Sequence, residues 1–272
     1  MRNDAQVIEK TSLTLRVFAR LYRPFIRRAA RHALHGRRID PARPAAGRFL
    51  RADVTAFLDD VWCRVPVIMA GEDFTAIPTT GNKNNVFLAG VTIAAYHALL
   101  DRGIGRRYAM ELFADVGWKL YETMVKVPFL FAGATASDPQ RRMDRVLRWL
   151  MRFPFSAPGR PGYEVKAWAE PGRFNTYWTY CAPLGFVQRY VQAHGDRGEV
   201  DAFYRSWCLY DWPFADILAG GKAGDRDHYE RPHTLSLGDS ACDMCWHAAG
   251  SAPGQTTIDH TSTPDSPPRV QD

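Results

Sequence analysis

The chain has 272 residues, 46% of them hydrophobic and 12% aromatic, with eight Trp. That is enough apolar material for a substantial buried core, and it excludes a disordered polymer. No run approaches the roughly 18 consecutive apolar residues of a transmembrane helix, and the opening MRNDAQVIEK lacks the apolar stretch of an export signal. The net charge of +6 is unevenly placed: residues 16–51 hold eleven Arg against one acid, Asp40, so the rest of the chain is net acidic.

Residues 12–35 have the spacing of an amphipathic helix, with Leu15, Phe18, Tyr22, Phe25 and Ala29 on one stripe and Pro24 placed to kink it. Its arginines have no aromatic interleaving of RNA-binding type and match no DNA motif. A solvated face is the favoured reading, with an acidic lipid, nucleic acid or acidic partner as alternatives. Residues 1–50 thus form a basic helical arm and linker. A second helix is expected after Asp53 as N-cap, on the repeat Val54, Phe57, Leu58, Val61, Trp62, Val65. Residues 71–84 read as a loop. A small-residue helix follows at 85–101, where Gly90, Ala94 and Ala98 allow a neighbour to approach, and further helices are expected at 106–125 and 141–152.

The period then changes. Tyr163, Val165 and Ala167 alternate with Glu164, Lys166 and Trp168, a turn follows at Pro171–Gly172, and residues 174–181 alternate again, which predicts an antiparallel hairpin. Residues 183–194 and 199–209 return to helical spacing, the second with Cys208 on its inward stripe. Residues 228–236 and 243–247 offer further strand, and the Ser/Thr/Pro-rich tail 250–272 reads as disordered. The fold class is therefore α+β, an N-terminal helical block followed by a small antiparallel sheet with packed helices, with residues 51–249 as the main domain.

Five cysteines, Cys63, Cys181, Cys208, Cys242 and Cys245, are an odd number with no export signal. This fits the reducing cytoplasm, where thiols stay free, bind metal or react. Cys181, Cys208 and Cys242 fall on different elements that could converge. Asp211 lies three residues after Cys208, and Asp243 follows Cys242. A carboxylate raises a thiol pKa and a cation lowers it; Arg231 and His233 are the nearest cations in sequence. Each cysteine taken alone is more often a small buried hydrophobe. Cys242 and Cys245 form a single CxxC, to which Cys181 and Cys208 could add the ligands of a zinc site. His97 reads as a packed or capping histidine, and Asn82, Asn84 and Asn85 as capping and turn residues.

Three segments in order, CAPLGFVQRYVQAHG from Cys181, WCLYDWPFADIL around Cys208, and ERPHTLSLGDSACD ending at Asp243, resemble the L-2-amino-thiazoline-4-carboxylic acid hydrolase family. The likeness covers roughly residues 84–247 and rests on Cys181, Cys208, Asp211, Arg231, Thr234, Gly238, Asp239, Cys242 and Asp243. The chain departs from the family's usual pattern at Ala182, which separates Cys181 from Pro183, and at Met244 and Cys245. The resemblance implies hydrolytic opening of a small cyclic amidine on a route to cysteine. Cys181, Cys208, Asp211, Cys242 and Asp243 would carry the chemistry, with Arg231, Thr234 and Asp239 binding substrate. Water activated by a general base, a thiolate nucleophile and a metal-activated water all remain open, and no cofactor is required. A non-catalytic small-molecule or metal-binding module using the same Cys/Asp pocket is the alternative, and an enzyme on the same scaffold with another substrate is a third.

Overall fold

The structure, a computed structural model, describes residues 13–136, 138–219 and 228–248. Helices lead: α1 (Leu13–Leu34), α2 (Arg51–Ile68), α3 (Thr80–Leu100), α4 (Arg106–Thr135) and α5 (Pro139–Arg152). A hairpin of β1 (Glu164–Glu170) and β2 (Arg173–Tyr180) follows. Then come α6 (Ala182–His194), α7 (Glu199–Ser206), α8 (Asp211–Ala219) and the short strands β3 (Tyr229–Glu230) and β4 (Cys242–His247). The architecture is α+β: a helical block, then a small antiparallel sheet with helices packed on it. The tail 250–272 lies outside the described residues.

Several element boundaries differ from those the sequence suggests, each for a local reason. Helix α1 runs through Pro24, and Ile26 rather than Phe25 completes its inward stripe with Leu15, Phe18 and Tyr22. The stripe advances by four residues from Phe18 to Tyr22 to Ile26, which carries Phe25 out to the exposed flank. The rings of Phe18 and Tyr22 lie 5.6 and 6.2 Å from that of Phe87 on α3, so α1 belongs to the same core as the helices after it. Helix α2 starts at Arg51, ahead of Asp53. Asp53 instead sits in the first turn and accepts a bond from the Leu50 N–H at 2.7 Å, the reciprocal half of an N-terminal cap.

Helix α3 starts at Thr80, because the Thr79 hydroxyl accepts from the Asn82 N–H at 3.2 Å. The segment 80–84, expected as loop, is therefore helical, and the three asparagines are buried in its first turns. Further along α3, Met69 sulfur fills the space where a Cβ on Gly90 would stand, the close approach the small residues permit. Helix α4 continues past Pro128 to Thr135, and α7 stops at Ser206, which leaves Cys208 in a short 3-10 turn, Cys208–Tyr210.

The sheet order is β1-β2-β4-β3, with antiparallel neighbours throughout. Register places Trp178 opposite Cys242 and Phe174 opposite Trp246. With a two-residue period, Cys242, Met244 and Trp246 share one face, and Asp243, Cys245 and His247 the other. The first face packs on the helices. One apolar cluster joins α1–α4, α6 and α7, and a second joins α5, α8 and the sheet. Side chains such as Phe57, Phe87, Leu99 and Phe203 are fully buried there, each stabilising by about 1.5–3 kcal/mol.

A buried hydrogen-bonded pair ties the block together. Glu199, at the start of α7, meets His97 Nε2 of α3 at 2.7 Å and accepts the Arg197 N–H at 2.7 Å. His97 is thus a packed, paired histidine, as its sequence position suggests. No helix among the described residues is long and apolar enough to cross a membrane.

Candidate active site

A cavity of about 270 Å³ opens where the two apolar clusters meet. Cys181, Cys208, Asp211, Arg231 and Cys242 all line it. Each arrives from a different place in the fold. Cys181 caps α6 at the end of β2, Cys208 occupies the 3-10 turn before α8, Asp211 opens α8, Arg231 follows β3, and Cys242 opens β4. The convergence expected from sequence is therefore present for these five residues.

Arg231 anchors the group. Its side chain is wholly buried. Nη1 donates to the Cys208 carbonyl at 2.9 Å and to Asp211 Oδ2 at 2.8 Å. The guanidinium lies 4.5 Å from the centre of the Trp212 ring, a cation–π contact that holds its plane. Nε and Nη2 are buried, with no surface of their own, and have no hydrogen-bond partner among the described residues. These two groups share one edge of the guanidinium, the edge that binds a carboxylate through two parallel bonds. Burial works against the charge, but the Asp211 carboxylate outweighs it and raises the Arg231 pKa.

Asp211 also accepts from the Tyr229 hydroxyl at 3.3 Å. Burial lifts its carboxyl to about 6, and Arg231 and Tyr229 pull against that rise. Yet 20% of the side chain is reachable by water, which fits a group facing an internal cavity. A carboxyl poised there changes protonation state close to neutrality. The thiols behave otherwise. Burial pushes Cys208 up to about 12 and Cys242 up to about 11, while Cys181 rises well above the ordinary thiol range. Cys208 sulfur is 3.3 Å from the Ser236 hydroxyl, and Cys242 sulfur accepts from the Leu235 N–H at 3.1 Å. All three are neutral thiols at physiological pH.

The other expected site residues lie elsewhere. Asp243 is on the opposite face of β4, where its two oxygens hold the His233 N–H and Nδ1, each at 2.7 Å. Asp239 accepts from the Thr234 N–H at 2.7 Å and so closes the turn before β4; neither residue lines the cavity. Cys245 also lies on the far face of β4, and Cys63 is exposed on α2. The CxxC therefore sends its two sulfurs to opposite sides of the sheet, and it cannot close on one metal ion. Among the described residues no three His, Cys, Asp or Glu side chains are grouped to hold a metal.

Sequence reasoning missed part of the wall. Asn84 and Asn85 line the cavity, and Asn85 donates to the Tyr163 hydroxyl at 2.8 Å. The signal was three amides at the head of an otherwise small apolar helix, which reads equally well as a turn. Thr176 Oγ1, Trp178 Nε1 and Trp246 Nε1, also in the wall, are buried without a hydrogen-bond partner among the described residues. No family model matches the chain, and neither a curated protein nor a solved structure matches it.

Proposed function

We propose that the cavity opens a small cyclic amidine bearing a carboxylate, of the 2-amino-thiazoline-4-carboxylate kind, by attack of water at the ring carbon. The observation that carries this reading is the Arg231–Asp211 pair in the wall: Asp211 reaches the cavity with its raised carboxyl, and the unpartnered edge of Arg231 lies directly behind the wall. Nε and Nη2 of Arg231 take the substrate carboxylate once the side chains that cover them shift aside. Asp211, ionised in the resting site, takes a proton from water as the oxygen adds to the amidine carbon. The tetrahedral adduct collapses with cleavage of the ring C–N bond, and Asp211 returns the proton to the departing nitrogen, so the product carries one added water. Cleavage of the ring C–S bond would follow the same proton path. The raised thiol pKa values favour activated water over a thiolate nucleophile; Cys181, Cys208 and Cys242 then shape the wall.

The test is mass spectrometry of L-2-amino-thiazoline-4-carboxylate incubated with the protein. A product heavier by one water supports the reading, with turnover falling about 10²- to 10⁴-fold in Asp211→Asn while the fold is kept. Saturable binding with no product would replace the hydrolase by a non-catalytic ligand-binding module.

The same reading sets the protein in a reducing cytoplasm, in keeping with its five free cysteines. We also propose that α1 meets an acidic surface. Arg16, Arg20, Arg23, Arg27, Arg28 and Arg31 are exposed, and none has a carboxylate partner among the described residues. Among them Leu13, Val17, Leu21 and Phe25 stand more than half exposed, at four-residue spacing. A second copy would set arginine against arginine, and a nucleic acid would leave the apolar stripe in water. An anionic membrane surface satisfies both features.

A further inference from the structure

We infer that the ligand of the cavity carries an alkyl or aryl body in addition to its anionic group. This rests on the reading of Arg231 as the anion site, and it extends that reading to the rest of the molecule bound there. Polar capacity in the cavity is confined to one region. Away from Arg231, Asp211, Tyr121, Thr176, Trp178 and Trp246, the buried polar side chains of the wall have partners among the described residues. Asn85 holds Tyr163, Asn84 holds Asn85, Thr92 accepts from Trp207 Nε1 at 3.0 Å, and the Ser206 hydroxyl donates to the Ala202 carbonyl at 2.7 Å. What remains is hydrocarbon and aromatic surface, including Phe57, Leu88, Val116, Leu120 and Leu147.

The size points the same way. A volume of 270 Å³ holds about nine waters at roughly 30 Å³ each, and it approaches the ~300 Å³ at which drug-sized ligands begin to fit. A bare five-membered ring at the Arg231 end would leave much of this apolar wall without contacts, and such a void forfeits dispersion energy. The wall also reaches the surface through apolar groups. Met124, Trp149 and Phe153 line the cavity and are 39%, 48% and 46% exposed. Trp149 and Phe153 pack edge to face with ring centres 6.5 Å apart. A mouth of this composition admits an apolar group ahead of or behind a charged one.

Calorimetric titration with straight-chain carboxylates from butanoate to decanoate tests the inference. Affinity should rise roughly fourfold per added methylene until the cavity is full. Arg231→Met should weaken each carboxylate at least tenfold and leave the matching primary alcohols unchanged. Leu120→Trp, which fills the wall, should shorten the longest chain accepted. If Arg231→Met does not fold, Arg231→Lys replaces it, with a smaller loss for carboxylates and none for alcohols. Affinity independent of chain length, or equal in the Arg231 variants, overturns the inference. Its failure is distinct from that of the hydrolase reading. Turnover of the thiazoline without any chain-length trend would sink only the apolar body. A chain-length trend without turnover would sink only the hydrolysis.

Discussion

Asp211 is the residue whose protonation should govern activity. Its folded pKa, held up to about 6 by burial, means that the base form is present above pH 6 and lost below it. The rate constant kcat/KM should therefore fall tenfold per pH unit below about 6. A profile flat from pH 5 to 8 would remove Asp211 from the role of base. Glu199 works in the opposite sense. Burial would raise its carboxyl, but the bonds from His97 and the Arg197 N–H prevail and hold it well below the usual carboxylate range. A depressed folded pKa stabilises the protein above the unfolded value, and that stability drains away as pH falls through the acid range toward the folded value. Glu199→Gln, which breaks a buried pair, should cost about 3 kcal/mol at pH 7 and much less at pH 3. Denaturant titrations at the two pH values measure this; equal losses at both would show that the pair is not ionised.

Helix α1 presents two stripes, one buried on Phe87 and one facing water among arginines. Sedimentation with vesicles of phosphatidylcholine alone and with added phosphatidylserine reads the outer stripe. Binding should need the anionic lipid, weaken with salt, and drop in Leu21→Ser with Phe25→Ser. Binding to neutral vesicles, or none to either, would leave the arginines as a solvated face. The inner stripe was legible in the sequence because helical periodicity is set by burial. The outer one escaped notice because the repeat was assigned to Phe25 instead of Ile26. The boundaries of α2 and α3 were misread for another reason. Asp53 and Asn82 are common capping types, and composition does not say whether such a residue stands before the first turn or inside it. In β4, by contrast, strict alternation separates Cys242 from Asp243 and Cys245. These residues are neighbours in sequence, and the pleat pulls them apart.

At the scale of the whole molecule, the cavity sits between two apolar clusters that draw on nearly every element. The α+β class and the meeting of Cys181, Cys208, Asp211 and Cys242 were legible, because amphipathic periods and the order of segments carry them. The amides of α3 and the indole of Trp178 were not, since their place in the wall depends on packing between distant parts of the chain. Thiol labelling reads this burial globally. A disulfide reagent at pH 7.5 should modify exposed Cys63 fastest, half-buried Cys181 and Cys208 more slowly because their raised pKa values leave little thiolate, and buried Cys242 slowest. Equally fast modification of all five would mean that Cys242 is not buried and that the cavity thiols are not held neutral.

The bare edge of Arg231 has a consequence for selectivity. In a complex that leaves buried N–H groups without acceptors, each unsatisfied group costs about 1–3 kcal/mol. An analogue that replaces the carboxylate by a hydrogen or a methyl group incurs that cost on binding, however well its remainder fits. Rejection of neutral look-alikes is thus built into the protein's own unmet bonding needs, and it requires no steric barrier against them.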